Sequence, residues 1–260
     1  MQLEFHQVDA FTSQRFAGNP AMVYRLESWL PEATMQRIAA EHNLAETAFL
    51  VREGKVWHIR WFTPTTEVPL CGHATLAAAF VLYQEYGETR EQLTFTSKSG
   101  ALSVTREDER LWLDFPSLPP SEQLGVTLDV ERALGVAAVD VLGAAELFVL
   151  LESEAAVKNC TPDMTALARL PWPGVIVTAR GEQHDFVSRY FAPAIGIPED
   201  AVTGSTHCSL IPYWSKRLSK TRMTARQCSA RGGELLCRLE GDRVQIGGHA
   251  VMVASGHLWV

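Results

Sequence analysis

The chain has 260 residues, of which 47% are hydrophobic and 20% charged, with a formal net charge of -7. This ordinary balance fits one large domain or two of usual size, and the acidic excess without a dense Lys/Arg cluster speaks against a nucleic-acid surface. No apolar run approaches the roughly 20 residues that span a bilayer, and the five cysteines, odd in number and without a Cys-x-x-Cys pair, read as reduced thiols.

The opening "MQLEFHQVDAF" has neither a basic n-region nor an apolar h-region, so it does not read as a signal peptide, and the expectation is a cytoplasmic protein. "WLPEATMQRIAAEHN" predicts an amphipathic outer helix with Pro31 near its first turn. In "HNLAETAFLV", Glu46 leads into an apolar strand, an unusual place for a carboxylate. "VWHIRWF" predicts a strand. "EVPLCGHATLAAAFVLY", Glu67–Tyr83, then opens a helix near Gly72 that is apolar on nearly every face and so belongs inside. "ALSVTREDERLWLDF" predicts a hairpin, and Pro116, Pro119 and Pro120 mark a link between halves. "DFVSRYF" predicts another strand. "EDAVTGSTHCSLIPYW" predicts a second helix from near Gly204, kinked or restarted at Pro212. "ELLCRLEGDRVQI" predicts a hairpin with a Gly-Asp turn.

These pieces repeat. "RWFTP" at Arg60 recurs as "RYFAP" at Arg189, "CGHAT" at Cys71 as "TGSTH" at Thr203, and "GALSVTREDERLWL" at Gly100 as "GELLCRLEGDRVQI" at Gly233, with offsets of 129, 132 and 133. Three matches in one order predict an α+β fold of two pseudo-symmetric halves, each a mostly antiparallel sheet wrapped around a central helix. The expected boundaries are 1–117 and 118–260, with the last strand a candidate to pack on the first half.

A helix N-terminus has unpaired N–H groups and a positive dipole end, and glycine there lets an anion approach. Two such ends related by a pseudo-two-fold axis would suit a small carboxylate passing through an enolate-like intermediate. The plainer reading makes Gly72 and Gly204 ordinary tight-turn residues. Four side chains stand out: His73, Ser205, Asp200 and Glu46. Each also has a plain reading, as a capping or core histidine, a helix cap, a turn former, or a chance carboxylate. Burial favours the neutral form of a carboxyl, which suits a group that both takes and gives a proton. No nucleotide-binding or hydrolase motif occurs, and "GEQHD" and "STHCS" lack metal-ligand spacing, so neither metal nor nucleotide is expected.

The motifs "VDAFTSQRFAGNPAMVY", "NLAETAFL", "WFTPTTEVPLCGHAT", "RYFAPAIGIPEDAVTGSTHCSLIPYW" and "GGHAVMVASGHL" together resemble the phenazine-biosynthesis isomerase (PhzF-like) family, of the diaminopimelate epimerase fold. The resemblance implies a ligand cleft between two halves, a homodimer, a small carboxylate substrate and no cofactor. It implies that Glu46 is the proton-shuttling acid/base. His73, Asp200 and Ser205 would hold and orient the substrate and assist proton transfer. Gly72 and Gly204 would offer backbone amides, and Asn19 of "GNP" a substrate contact. Epimerases of the fold resemble one another in using two thiols, but here Cys71 is matched in the repeat by Thr203, far too weak an acid to stand in. An allylic proton shift through Glu46 is therefore favoured over racemisation between Cys71 and Cys208, and over a non-catalytic metabolite-binding role. The family motif often reads "EDPVTGSAH"; Ala201 and Thr206 depart from it and leave the substrate open. The bona fide family reaction acts on trans-2,3-dihydro-3-hydroxyanthranilate.

Overall fold

A computed structural model of the chain describes residues 1–120, 122–124 and 127–260. The first half runs β1 (Gln2–Ala10), β2 (Asn19–Leu26), α1 (Glu32–His42), β3 (Glu46–Glu53), β4 (Val56–Phe62), β5 (Glu67–Val68), α2 (Gly72–Gln84), β6 (Gln92–Ser97), β7 (Gly100–Glu107) and β8 (Arg110–Pro116). There follow β9 (Glu122–Gln123), α3 (Leu128–Leu134), β10 (Asp140–Gly143), β11 (Leu147–Leu150), α4 (Glu154–Asn159), α5 (Met164–Leu167), β12 (Val175–Arg180), β13 (Phe186–Ala192) and β14 (Ile197–Asp200). The last elements are α6 (His207–Leu218), β15 (Arg222–Gln227), β16 (Gly233–Glu240), β17 (Arg243–Gly248) and β18 (Ala250–Trp259).

The chain divides into two compact units, residues 1–114 with 247–260, and residues 115–246. In the first, strands pair in the order β7, β6, β4, β3, β2, β1, β18; β6–β4 and β3–β2 are parallel and the rest antiparallel. β5 pairs back on β4, and β8 on β7. In the second, the order is β9, β10, β11, β12, β13, β15, β16, with β11–β12 and β13–β15 parallel. β14 pairs back on β13. From β1 and from β10 onward the alternation of antiparallel and parallel pairs is the same. The repeat in the sequence is thus a repeat of topology, a mixed sheet around one helix in an α+β fold.

Small residues explain the first wrap. Ala74, Ala77, Ala78 and Ala79 let β1, β2, β3, β7 and β18 close on α2, and nearly every residue of the helix is buried. The repeat also carries a polar device. Arg60 grips Glu67 with Nε and Nη2 at 2.8 and 2.7 Å, and Arg189 grips Glu199 at 2.7 and 3.0 Å. Each guanidinium lies over the phenylalanine two residues on, Phe62 or Phe191. These two-point clamps tie the short strand before each central helix to the sheet.

The second helix differs from expectation. It runs unbroken through Pro212 and begins at His207, while residues 204–206 form a tight turn. In that turn the N–H groups of His207 and Cys208 donate three residues back, to Gly204 O and Ser205 O, each at 3.0 Å. Pro212 has no N–H for the Cys208 carbonyl. That carbonyl accepts from Leu118 N–H at 2.8 Å, and Ser209 Oγ donates to Leu118 O at 2.8 Å. The proline is accommodated because the Pro-rich stretch docks on the carbonyl it frees.

Candidate active site

In the first unit, four side chains converge from three elements. Gly18, at φ +63°, turns the chain into β2; a Cβ there would stand 2.2 Å from the Ala10 carbonyl oxygen. The turn delivers Asn19 to the first position of β2. Glu46 opens β3, whose parallel register sets it beside Ala21. Cys71 precedes α2, and His73 is its second residue. Asn19 is fully buried, His73 3% exposed and Glu46 9% exposed. Asn19 Nδ2 and Cys71 Sγ lie 3.1 and 3.5 Å from His73 Nδ1. On the other side of the ring, His73 Nε2 lies 3.1 Å from Glu46 Oε2. That is ion-pair distance, yet neither atom makes an aligned hydrogen bond, so both present unspent polar capacity in a buried place.

Burial works against a second proton on His73, whereas the facing Glu46 carboxylate works for it, and the ring's affinity for that proton ends above that of free imidazole. Burial and the Glu46 charge push the Cys71 thiol up to about 11. At neutral pH the sulfur is therefore a neutral thiol. Helix α2 has no side-chain cap and no acidic residue in its first turn. Its amides at Gly72 and His73 thus meet no side chain of their own helix start.

In the second unit, Asp200 closes β14 and is half-buried. Thr203 Oγ1 donates to Asp200 Oδ2 at 2.6 Å. The buried Gln227, at the end of β15, organises this loop. Its Oε1 accepts from Thr203 N–H at 2.9 Å, and its Nε2 donates to Asp200 O at 2.9 Å and to Thr203 Oγ1 at 3.1 Å. Ser205 is exposed in the lead-in turn, and α6, like α2, has no side-chain cap and no acidic first turn. Ser205 therefore does not serve as the cap its residue type suggested. Thr206 turns its hydroxyl inward to Thr203 O at 2.9 Å.

The two helix starts share one more tie. Thr75 Oγ1 donates to Cys71 O at 2.5 Å, and its repeat counterpart His207 places Nδ1 2.9 Å from Thr203 O. Burial lowers His207 to about 4, so the ring is neutral, and because a carbonyl only accepts, Nδ1 carries the hydrogen. Sequence reasoning missed Gln227 altogether; a glutamine ending a strand has no local signature. In the sequence Cys71 stands out as one half of a two-thiol pattern whose other position is Thr203, and its contact with His73 has no sequence signature.

The sequence profile of PhzC-PhzF, described as phenazine biosynthesis-like protein, matches residues 8–256. The chain belongs to this family. An uncharacterized isomerase of Pseudomonas aeruginosa is 68% identical, over 99% of each chain. The crystal structure of a PhzF-family phenazine biosynthesis protein from Enterococcus faecalis, 50% identical, superposes with a TM-score of 0.98 over 100% of both chains. A probable proline racemase from Agrobacterium radiobacter, 11% identical, gives a TM-score of 0.68 over 99% of this chain and 93% of its own; at that identity the likeness concerns the fold alone. A second relative from Pseudomonas aeruginosa, 46% identical over 99% of each chain, is likewise named an isomerase. Among the described residues no helix is long and apolar enough to cross a membrane.

Proposed function

We propose that the chain is a cofactor-independent isomerase that moves a proton within a small unsaturated carboxylic or amino acid, with Glu46 as the single acid/base. The observation that carries this is the buried Glu46 Oε2, 3.1 Å from His73 Nε2 and without an aligned hydrogen bond. A carboxylate so placed is free to accept a proton from substrate carbon and return it elsewhere along a conjugated system. The proton leaves one carbon as its bonding pair enters the π-system, and a second carbon takes the proton as the double bond shifts. His73 steadies the Glu46 charge. The uncapped starts of α2 and α6 supply donors to carboxylate or enolate oxygens. Asp200 and Ser205 hold the substrate, the family resemblance giving them this role; the Thr203–Gln227 bonds fix the Asp200 carboxylate. Asn19 acts through His73 Nδ1.

Racemisation by two thiols draws no support from the cysteines. Burial pushes Cys71 up to about 11 and Cys208 up to about 12, so neither is a thiolate at neutral pH. The reading is tested by proton NMR in D2O with trans-2,3-dihydro-3-hydroxyanthranilate and a panel of small unsaturated carboxylates. A double-bond shift with deuterium uptake, abolished in a folded Glu46→Gln variant, is expected. Undiminished exchange in that variant would overturn it.

A further inference from the structure

Helix α2 is buried at every position but two. Phe80 and Gln84 keep access to solvent, and both open on one cleft of about 290 Å³ in the first unit. Leu111 of β8 and Val251 of β18 add apolar wall. At a rise of 1.5 Å per residue, Phe80 stands roughly 10 Å along the helix axis from His73, so the cleft is separate from the acid/base site. Arg106 of β7, half-buried, reaches into it with its guanidinium over the Tyr83 ring, 4.4 Å from the centroid. Among the described residues no carboxylate pairs with this arginine. A guanidinium stacked on a ring keeps its N–H fork for an anion. At the tip of the β7–β8 turn, Asp108 and Glu109 bring two exposed carboxylates to the same cleft.

We infer that this cleft binds an apolar α-amino acid as its zwitterion, at a site distinct from Glu46. The carboxylate takes the Arg106 fork, the ammonium takes Asp108 and Glu109, and the side chain packs on Phe80, Leu111 and Val251. A plain carboxylate would leave the two acids facing it without a partner, and a plain amine would meet the arginine with a like charge. The cleft therefore selects a ligand that carries both charges and an apolar body. Its volume lies just under the roughly 300–1,000 Å³ of sites for drug-sized ligands, which suits a molecule of amino-acid size. The bound ligand covers the window on the helix that carries His73. The assignment does not rest on the isomerase reading, because its test reads binding and not turnover.

The test is equilibrium dialysis of the full-length protein against radiolabelled L-phenylalanine and L-leucine, with circular dichroism to check that each variant is folded. The wild type and Glu46→Gln are expected to bind one ligand per chain with equal affinity. Arg106→Gln, and the double variant Asp108→Asn with Glu109→Gln, are each expected to weaken binding about tenfold or more. Asparagine is chosen at position 108 because it tolerates the turn's φ of +56°. In the wild type, 3-phenylpropionate, which lacks the ammonium, and phenethylamine, which lacks the carboxylate, are expected to displace L-phenylalanine about tenfold less well than it displaces itself. No binding of either amino acid by the wild type would overturn the inference. So would undiminished binding in folded Arg106→Gln, or equal displacement by 3-phenylpropionate. Binding lost in Glu46→Gln but kept in Arg106→Gln would place the ligand at the acid/base site and overturn it as well.

Discussion

Gly18→Ala tests how the turn before β2 builds the site. An alanine at φ +63° costs roughly 1–2 kcal/mol in backbone strain, offset by about 0.4–1 kcal/mol from the stiffer unfolded chain. The added Cβ would also meet the Ala10 carbonyl oxygen at 2.2 Å and Thr12 Cγ2 at 2.7 Å. The first of these is backbone, so β1 or the turn must shift, at roughly 1–3 kcal/mol more. Gly241→Ala is the control. It has φ +62° in the β16–β17 turn and nothing within 4 Å of its Cβ, so it carries the strain without the collision. The expected losses are about 3 kcal/mol for Gly18→Ala and about 1 kcal/mol for Gly241→Ala. At roughly 2–4 °C per kcal/mol, the melting temperatures should differ by about 4–8 °C. Urea and thermal unfolding followed by circular dichroism measure this. Equal losses in the two variants would refute the reasoning that Gly18 is required by close approach.

Arg60→Met leaves Glu67 with Lys98 as its ionic partner and should lower stability by about 2 kcal/mol, between the exposed and buried limits for ion pairs. The hydrogen bond from Arg60 holds the Glu67 carboxyl below 4.5, so this contribution is present above that value and fades as pH falls through the lower folded value; a gap to wild type that widens in acid would contradict it. His207, held down to about 4 by burial, resists protonation when folded. Stability should therefore fall between pH 6.5 and about 4, and His207→Gln should flatten that slope; an unchanged slope would count against it. Cys71, pushed up to about 11, should stay unmodified by iodoacetamide at neutral pH while half-buried Cys228 reacts, as peptide mass spectrometry would show; prior loss of Cys71 would contradict its burial.

Much of this was legible in the chain. The all-apolar face of "HATLAAAFVLY" marks a helix with sheet on every side, because only burial all round tolerates that composition. The recurrence of Arg60 as Arg189 exposed the duplicated topology, since each arginine clamps the glutamate before its helix. Other features rest on nonlocal partners. Pro212 reads as a helix breaker until Leu118 is seen to satisfy the carbonyl it frees. Gln227 acquires its place only when β15 lies beside β13, and no spacing along the chain announces that parallel pair. β18 joins β1, nearly the full chain length away, which places residues 247–260 in the first unit. Glu46 stood out because a carboxylate opening an apolar strand conflicts with its surroundings, and such conflicts gather at functional sites.

The most direct test of the account is proton NMR of the wild type and Glu46→Gln side by side in D2O with trans-2,3-dihydro-3-hydroxyanthranilate and the unsaturated carboxylate panel. The account predicts that one of these acids shows a shifted double bond with solvent deuterium in the product, in the wild type alone. Deuterium uptake at the same rate in folded Glu46→Gln would contradict the claim that Glu46 carries the proton.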